Sequence, residues 1–275
     1  MTKLELGRIG VALGPQEGSA FVDAVLEIEA LGYSTLWLSG GSLERLGQIS
    51  DLVRATSTIK VVPGILSVSK FSAASVAALY AELESSHPGR YVVGLGGHYG
   101  PRPIEAIGAY LDELDSSPGV PASARVLAAL GPKMLGLARD RAAGAYPFLV
   151  DPAYTASARA GLGPDSFLAV LQMATLETDA ERARSIVREP LGFLSKLPGY
   201  HANLLRQGYS AEEIDGLSDR LVDAVGAWGT AETIAGRLRE HLDAGADQVV
   251  LNPITGSYDL PLPYLREYAA ALGLR

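Results

Sequence analysis

Apolar and polar positions fall in alternating blocks along this chain. Short apolar runs cover residues 8–13, 35–38, 91–95, 126–130, 145–150, 167–174 and 248–251, and a longer one covers 59–68. Between them, apolar residues recur at helical spacing over 20–31, 43–55, 73–83, 104–114, 132–141, 154–160 and 180–194, with a last stretch after Pro261. A short apolar run bounded by turn formers reads as a buried strand, and the helical spacing reads as a helix with one apolar face. Eight buried strands, each followed by a helix, predict an α/β fold, a (β/α)8 TIM barrel forming a single domain over residues 1–275.

The rhythm breaks twice. Pro63-Gly64 interrupts the longest run, which marks a bulge. Residues 197–229, between the seventh and eighth strands, carry extra helical patterns ahead of a helix at 232–244. In a barrel, residues added after a strand's C-terminal end lie on the active-site face. A helical insertion that acts as lid or pocket wall is therefore expected. A packing or homodimer contact is the other use open to it.

Composition narrows the function. The chain is 48% hydrophobic and 20% charged, enough for a large core and too little charge for extended disorder. A net charge of −8 argues against nucleic-acid or membrane-surface partners and leaves a small-molecule substrate. There are no cysteines, so disulfides, thiolate catalysis and Cys-ligated metals are excluded. The four histidines are scattered and none pairs at metal-ligand spacing, so no metal is expected. With neither a signal-peptide pattern nor an apolar run of about 18 residues, a soluble cytoplasmic protein is expected.

The loop after the fifth run carries the clearest chemistry. Gly131 and Pro132 end the strand and open a helix. Proline suits the first helical turn, glycine permits close approach, and free N–H groups at a positive helix end attract a phosphate or similar anion. Lys133 either faces solvent or screens that anion. The other strand ends offer Ser39-Gly40-Gly41-Ser42, Ser67, Gly96-Gly97-His98-Tyr99, Pro147 with Phe148, Thr175 and Asn252. This set is rich in glycine and small hydroxyls and poor in acids and bases. It suits a cradle for a large planar cofactor better than a hydrolase with its own nucleophile and base. His98 is the one histidine at a predicted strand end and leads as acid or base, with Tyr99 beside it; the alternative is a loop hydrogen bond. Tyr200 and His201 could wall the pocket. Trp37 and Trp228 read as core, and His241 as helix surface.

The chain resembles the luciferase-like superfamily of flavin and deazaflavin barrel enzymes, and within it the actinobacterial coenzyme F420-dependent oxidoreductases. The resemblance rests on Leu36-Trp37-Leu38, Val62-Pro63-Gly64-Ile65, the stretch 89–96, the stretch 125–134, Gly144-Ala145-Tyr146-Pro147-Phe148, the stretch 218–224, Trp228-Gly229-Thr230 and the stretch 244–249. It implies hydride transfer between F420 and a small organic substrate; an FMN-dependent monooxygenase or reductase, and a ligand-binding barrel without catalysis, are the alternatives. It implies a ring system stacked at the disturbed third strand, Gly64-Ile65, with Ser39 and Ser67 nearby. Gly96, Gly97 and His98 would lie along the ring and side chain, and Gly131 and its neighbours by the phosphate or ribityl arm; Pro147, at its strand end, is a further cofactor-binding candidate. His98 and Tyr99 would supply the proton. Many relatives carry an acid or histidine just after strand two, where this chain has Ser39-Gly40-Gly41-Ser42.

Overall fold

A computed structural model describes every residue except 1–2, 40–42, 98–99, 117–118, 258 and 275. The chain runs β1 (Ile9–Leu13), α1 (Ser19–Ala30), β2 (Thr35–Ser39), α2 (Gly47–Ala55), β3 (Lys60–Gly64), β4 (Leu66–Ser67), α3 (Ala73–Ser86), β5 (Val93–Gly96) and α4 (Pro103–Leu114). It continues through β6 (Arg125–Leu127), α5 (Pro132–Arg141), β7 (Gly144–Ala145), α6 (Pro152–Leu162), β8 (Phe167–Thr175) and α7 (Ala180–Leu194). The last part holds α8 (Pro198–Arg206), α9 (Ala211–Asp215), α10 (Asp219–Val225), β9 (Gly226–Trp228), α11 (Ala231–Asp243), β10 (Gln248–Pro253) and α12 (Leu262–Leu272).

The strands are parallel and follow the order β3-β2-β1-β10-β8-β7-β6-β5-β4, with β9 attached to the end of β8. Strands β3 and β4 are two halves of one stave. The first half pairs with β2, Thr35 against Lys60 through Ser39 against Gly64. The second half pairs with β5, Leu66 against Leu95 and Ser67 against Gly96. A bridge between Val61 and Tyr91 closes the ring. The result is an eight-staved α/β TIM barrel, as the periodicity predicts.

Alternation along each strand divides the apolar residues between two cores. Leu36 and Leu38, Val93 and Leu95, Leu168 and Val170, and Val249 and Leu251 face the helices. Ala12, Trp37, Val62, Val92, Val126, Phe167, Ala169, Leu171 and Val250 fill the lumen. A third cluster joins Leu149 and Met173 to Val187, Leu204, Ile214 and Leu221, tying the 197–229 stretch to the end of β8. Bidentate hydrogen bonds from Arg184 to Asp223 reinforce it, at 2.9 and 2.6 Å. Among the described residues, no helix is long and apolar enough to cross a membrane.

Several predicted strands are shorter than their apolar runs. The run 126–130 pairs only within Arg125–Leu127, and the run 145–150 only at Gly144–Ala145 with an isolated bridge at Phe148. His241 is not on a helix surface. It is fully buried between α11, α6 and β8, with Nδ1 2.8 Å from Thr155 Oγ1 and Nε2 2.8 Å from Gln172 Oε1. The Gln172 amide already donates to the carbonyls of Met173 and Val225, so its oxygen accepts from Nε2–H, and burial, which lowers this imidazole to about 4, favours its neutral form. Trp228 is half-buried rather than core, donating to Asp223 at 3.0 Å.

Candidate active site

The break in the third stave is held open by glycines. A Cβ on Gly94 would stand 1.9 Å from the Pro63 carbonyl oxygen, so that carbonyl occupies the place of a side chain. Only glycine permits this approach. Ile65 is left outside both half-strands, and its side chain lies over the next strand. Cβ atoms on Gly96 and Gly97 would meet its Cδ1 at 3.0 and 2.8 Å. Gly97 has φ +68°, a left-handed conformation that glycine adopts without steric cost. The Ser67 hydroxyl donates to the Gly97 carbonyl at 3.0 Å and fixes the loop edge.

By alternation, the lumen-facing positions nearest the C-terminal ends of staves two to five are Ser39, Gly64, Gly96 and Ala128. None has a side chain larger than a hydroxymethyl group. Beneath them lies an aromatic stack. The rings of Trp37 and Tyr146 are 4.1 Å apart at 23°, and a Cβ on Gly64 would touch Tyr146 Cε1 at 2.9 Å and Trp37 Cε3 at 3.1 Å. The Trp37 indole N–H donates to Gln248 Oε1 at 2.9 Å, which anchors the stack from below.

The helices differ at their first turns, and the helix after β6, like α1, α2 and α4, has no side-chain cap. Asp151, Asp179 and Thr230 cap α6, α7 and α11 with side-chain oxygens. Helix α5 begins at Gly131-Pro132 with no side-chain cap, so its first N–H groups remain available. Arg206, the last residue of α8, reaches this end: its Nη2 is 3.2 Å from the position of a Cβ on Gly131. That guanidinium donates to Asn203 Oδ1 at 3.2 Å and, among the described residues, pairs with no carboxylate. Two more contacts hold the 197–229 stretch at this end of the barrel. Gln207 donates to the Leu149 carbonyl at 3.1 Å, and Tyr200 meets Phe148 edge-on at 6.0 Å.

The structure thus brings Gly64, Ile65, Ser67, Gly96 and Gly97 into one cluster, with Ser39 in register beside Gly64. Gly131 and Pro147 follow strands six and seven at the same end of the barrel. Pro147 accepts a backbone hydrogen bond from Leu171 at 3.1 Å. His98 and Tyr99, the expected proton donors, lie outside the described residues, as do Gly40, Gly41 and Ser42. Sequence reasoning missed Tyr146 and Arg206. A cavity of about 590 Å³ also exists, lined by Glu177, Gly229, Glu232 and Glu267. It lies between the ends of β8 and β9 and helix α12, away from this cluster.

No family model matches the sequence, and no curated protein matches it. Solved structures do. The coenzyme F420 dependent tetrahydromethanopterin reductase from Methanopyrus kandleri aligns over 98% of this chain and 97% of its own, with TM-score 0.72 and 19% identity. An F420-dependent secondary alcohol dehydrogenase, solved with an F420-acetone adduct, aligns over 98% and 99% with TM-score 0.71 and 15% identity. The oxygenating constituent of 3,6-diketocamphane monooxygenase from Pseudomonas putida, solved with FMN, aligns over 98% of both chains with TM-score 0.67 and 12% identity. At these identities the shared property is the fold.

Proposed function

We propose that this chain is a luciferase-like oxidoreductase that binds coenzyme F420 at the C-terminal mouth of the barrel and transfers a hydride between it and a small organic substrate. The observation that carries the reading is the broken third stave facing a wall of glycines. Gly64, Gly96 and Gly97 let Tyr146 and Ile65 pack directly on the backbone, and the half-exposed edge formed by Gly64, Ile65, Ser67 and Gly97 is the surface proposed to receive a planar ring. Ser39 lies in register beside Gly64, and Pro147, after β7, is a further proposed contact. The uncapped end of α5 at Gly131, with Arg206 and Lys133 beside it, fits the anionic arm of such a cofactor.

When bound, the reduced deazaflavin supplies the hydride. The protein orients the ring, excludes water and places a proton donor. His98, with Tyr99 next to it, is the proposed donor, since Ser39-Gly40-Gly41-Ser42 offers no titratable group after strand two. Tyr200 and His201 are the proposed wall of the substrate side.

FMN is the second reading, favoured by the FMN-bound monooxygenase with the same fold. Parallel titration of the purified protein with F420 and with FMN, followed by quenching of tryptophan fluorescence, separates the two. Saturable quenching by F420 at micromolar concentration, and weaker quenching by FMN, is expected. The reverse order reassigns the protein to flavin chemistry. Binding of neither overturns the reading, and absence of turnover with either reduced cofactor across a broad acceptor panel favours a non-catalytic barrel.

A further inference from the structure

The Tyr146 ring is positioned by packing, yet its hydroxyl is used by nothing inside the protein. The hydroxyl-bearing end abuts the strand break: a Cβ on Gly64 would lie 2.9 Å from Cε1 and 3.4 Å from Cζ. The ring cannot swing away without losing its stack on Trp37. Other phenols of the barrel are committed internally. Tyr33 donates to the Leu265 carbonyl at 2.9 Å, Tyr110 to Phe71 at 3.0 Å and Tyr154 to Leu130 at 2.6 Å. The Tyr146 hydroxyl has no hydrogen-bond partner among the described residues. The hydroxyls of Tyr91 and Tyr268 are also unpartnered, but these are sealed within the wall. Tyr146 does not belong to that sealed group: it keeps 5% exposure, and Tyr200, from the 197–229 stretch, is near enough to act on its phenol. Burial, with Tyr200 adding to it, pushes this phenol well above its ordinary value, so it remains an O–H donor at every working pH.

Resting on the proposed cofactor site, we propose that the Tyr146 hydroxyl donates a hydrogen bond to a ring carbonyl of the cofactor held at the Gly64-Ile65 break. Deazaflavin and flavin rings share their pyrimidine carbonyls, so the inference holds for either. A donor without a protein partner is free to bond an acceptor that arrives beside it. A planar ring held at the strand break, beside the Tyr146 ring that covers Gly64, brings such an acceptor to the hydroxyl end of the phenol.

The test is Tyr146→Phe, which keeps the aromatic ring and its stack. Cofactor affinity, the absorption spectrum of the bound ring and the thermal unfolding curve are measured with whichever of F420 or FMN the wild type binds. The expected result is a roughly five- to tenfold weaker Kd, a displaced absorption band and an unchanged unfolding curve. The infrared carbonyl stretch of the ring bound to wild type gives a second readout that needs no variant to fold. It should fall relative to the free ring. Wild-type binding with Kd and spectrum unaltered in the variant, or an unshifted stretch, overturns the role of Tyr146 alone. Failure of the wild type to bind either cofactor overturns the site itself.

Discussion

The two sides of the barrel are built differently. Strand β8 is nine residues long and buried throughout, and it pairs with β10 over six consecutive positions. Strands β4 and β7 have two residues each and β6 has three, and the third stave changes partner at Ile65. Regular pairing satisfies every backbone group but leaves none for a ligand. Where the strands shorten, glycines replace side chains, a carbonyl is turned into a glycine's space and a helix end is left uncapped. The regular side carries stability and the interrupted side carries the candidate chemistry, which is how strain and function are commonly divided in enzymes.

Gly94→Ala should break this division most severely. The new methyl would stand 1.9 Å from the Pro63 carbonyl oxygen, and both partners are backbone, so neither can yield cheaply. A loss of about 3 kcal/mol or more is expected in urea unfolding, together with loss of cofactor binding. Near-native stability would show that the break is soft and not enforced by Gly94.

The regular side should reveal itself through pH. Burial lowers His241 from 6.5 to about 4, with Arg237 adding to the effect. The unfolded chain therefore takes up a proton below pH 6.5 that the folded chain refuses until about 4. The contribution to stability is complete above pH 6.5 and declines as pH falls toward 4, by about 3 kcal/mol in total. Glu29 and Glu213, both lowered from 4.5 to about 2, lose their contribution mainly between those values and so overlap only the acid end of this window. Unfolding measured between pH 7 and 4 should show this loss in the wild type and a flatter curve in His241→Gln. An equal slope in both would place the proton elsewhere.

Much of this contrast is legible in the sequence. The long apolar runs announce the regular strands, and Pro63-Gly64 inside a run announces the break. Gly131-Pro132 announces the uncapped helix. Tyr146 is not legible as a site residue, because only the fold sets its ring against Trp37 and the strand break. Arg206 meets Gly131 only through the packing of α8, a contact with no local signature. His241 did leave a signal: it shares the helical face of Ile234 and Leu238, both fully buried.

Hydrogen–deuterium exchange with and without cofactor tests the central claim most directly, that the interrupted side is the binding site. Bound F420, or FMN if that is the ligand, should slow exchange at Ile65, Leu66, Gly97 and Met134 and leave β8 unchanged. Protection at Thr178, Gly229 and Glu232 instead, around the 590 Å³ cavity, with none at the strand break, would contradict the account.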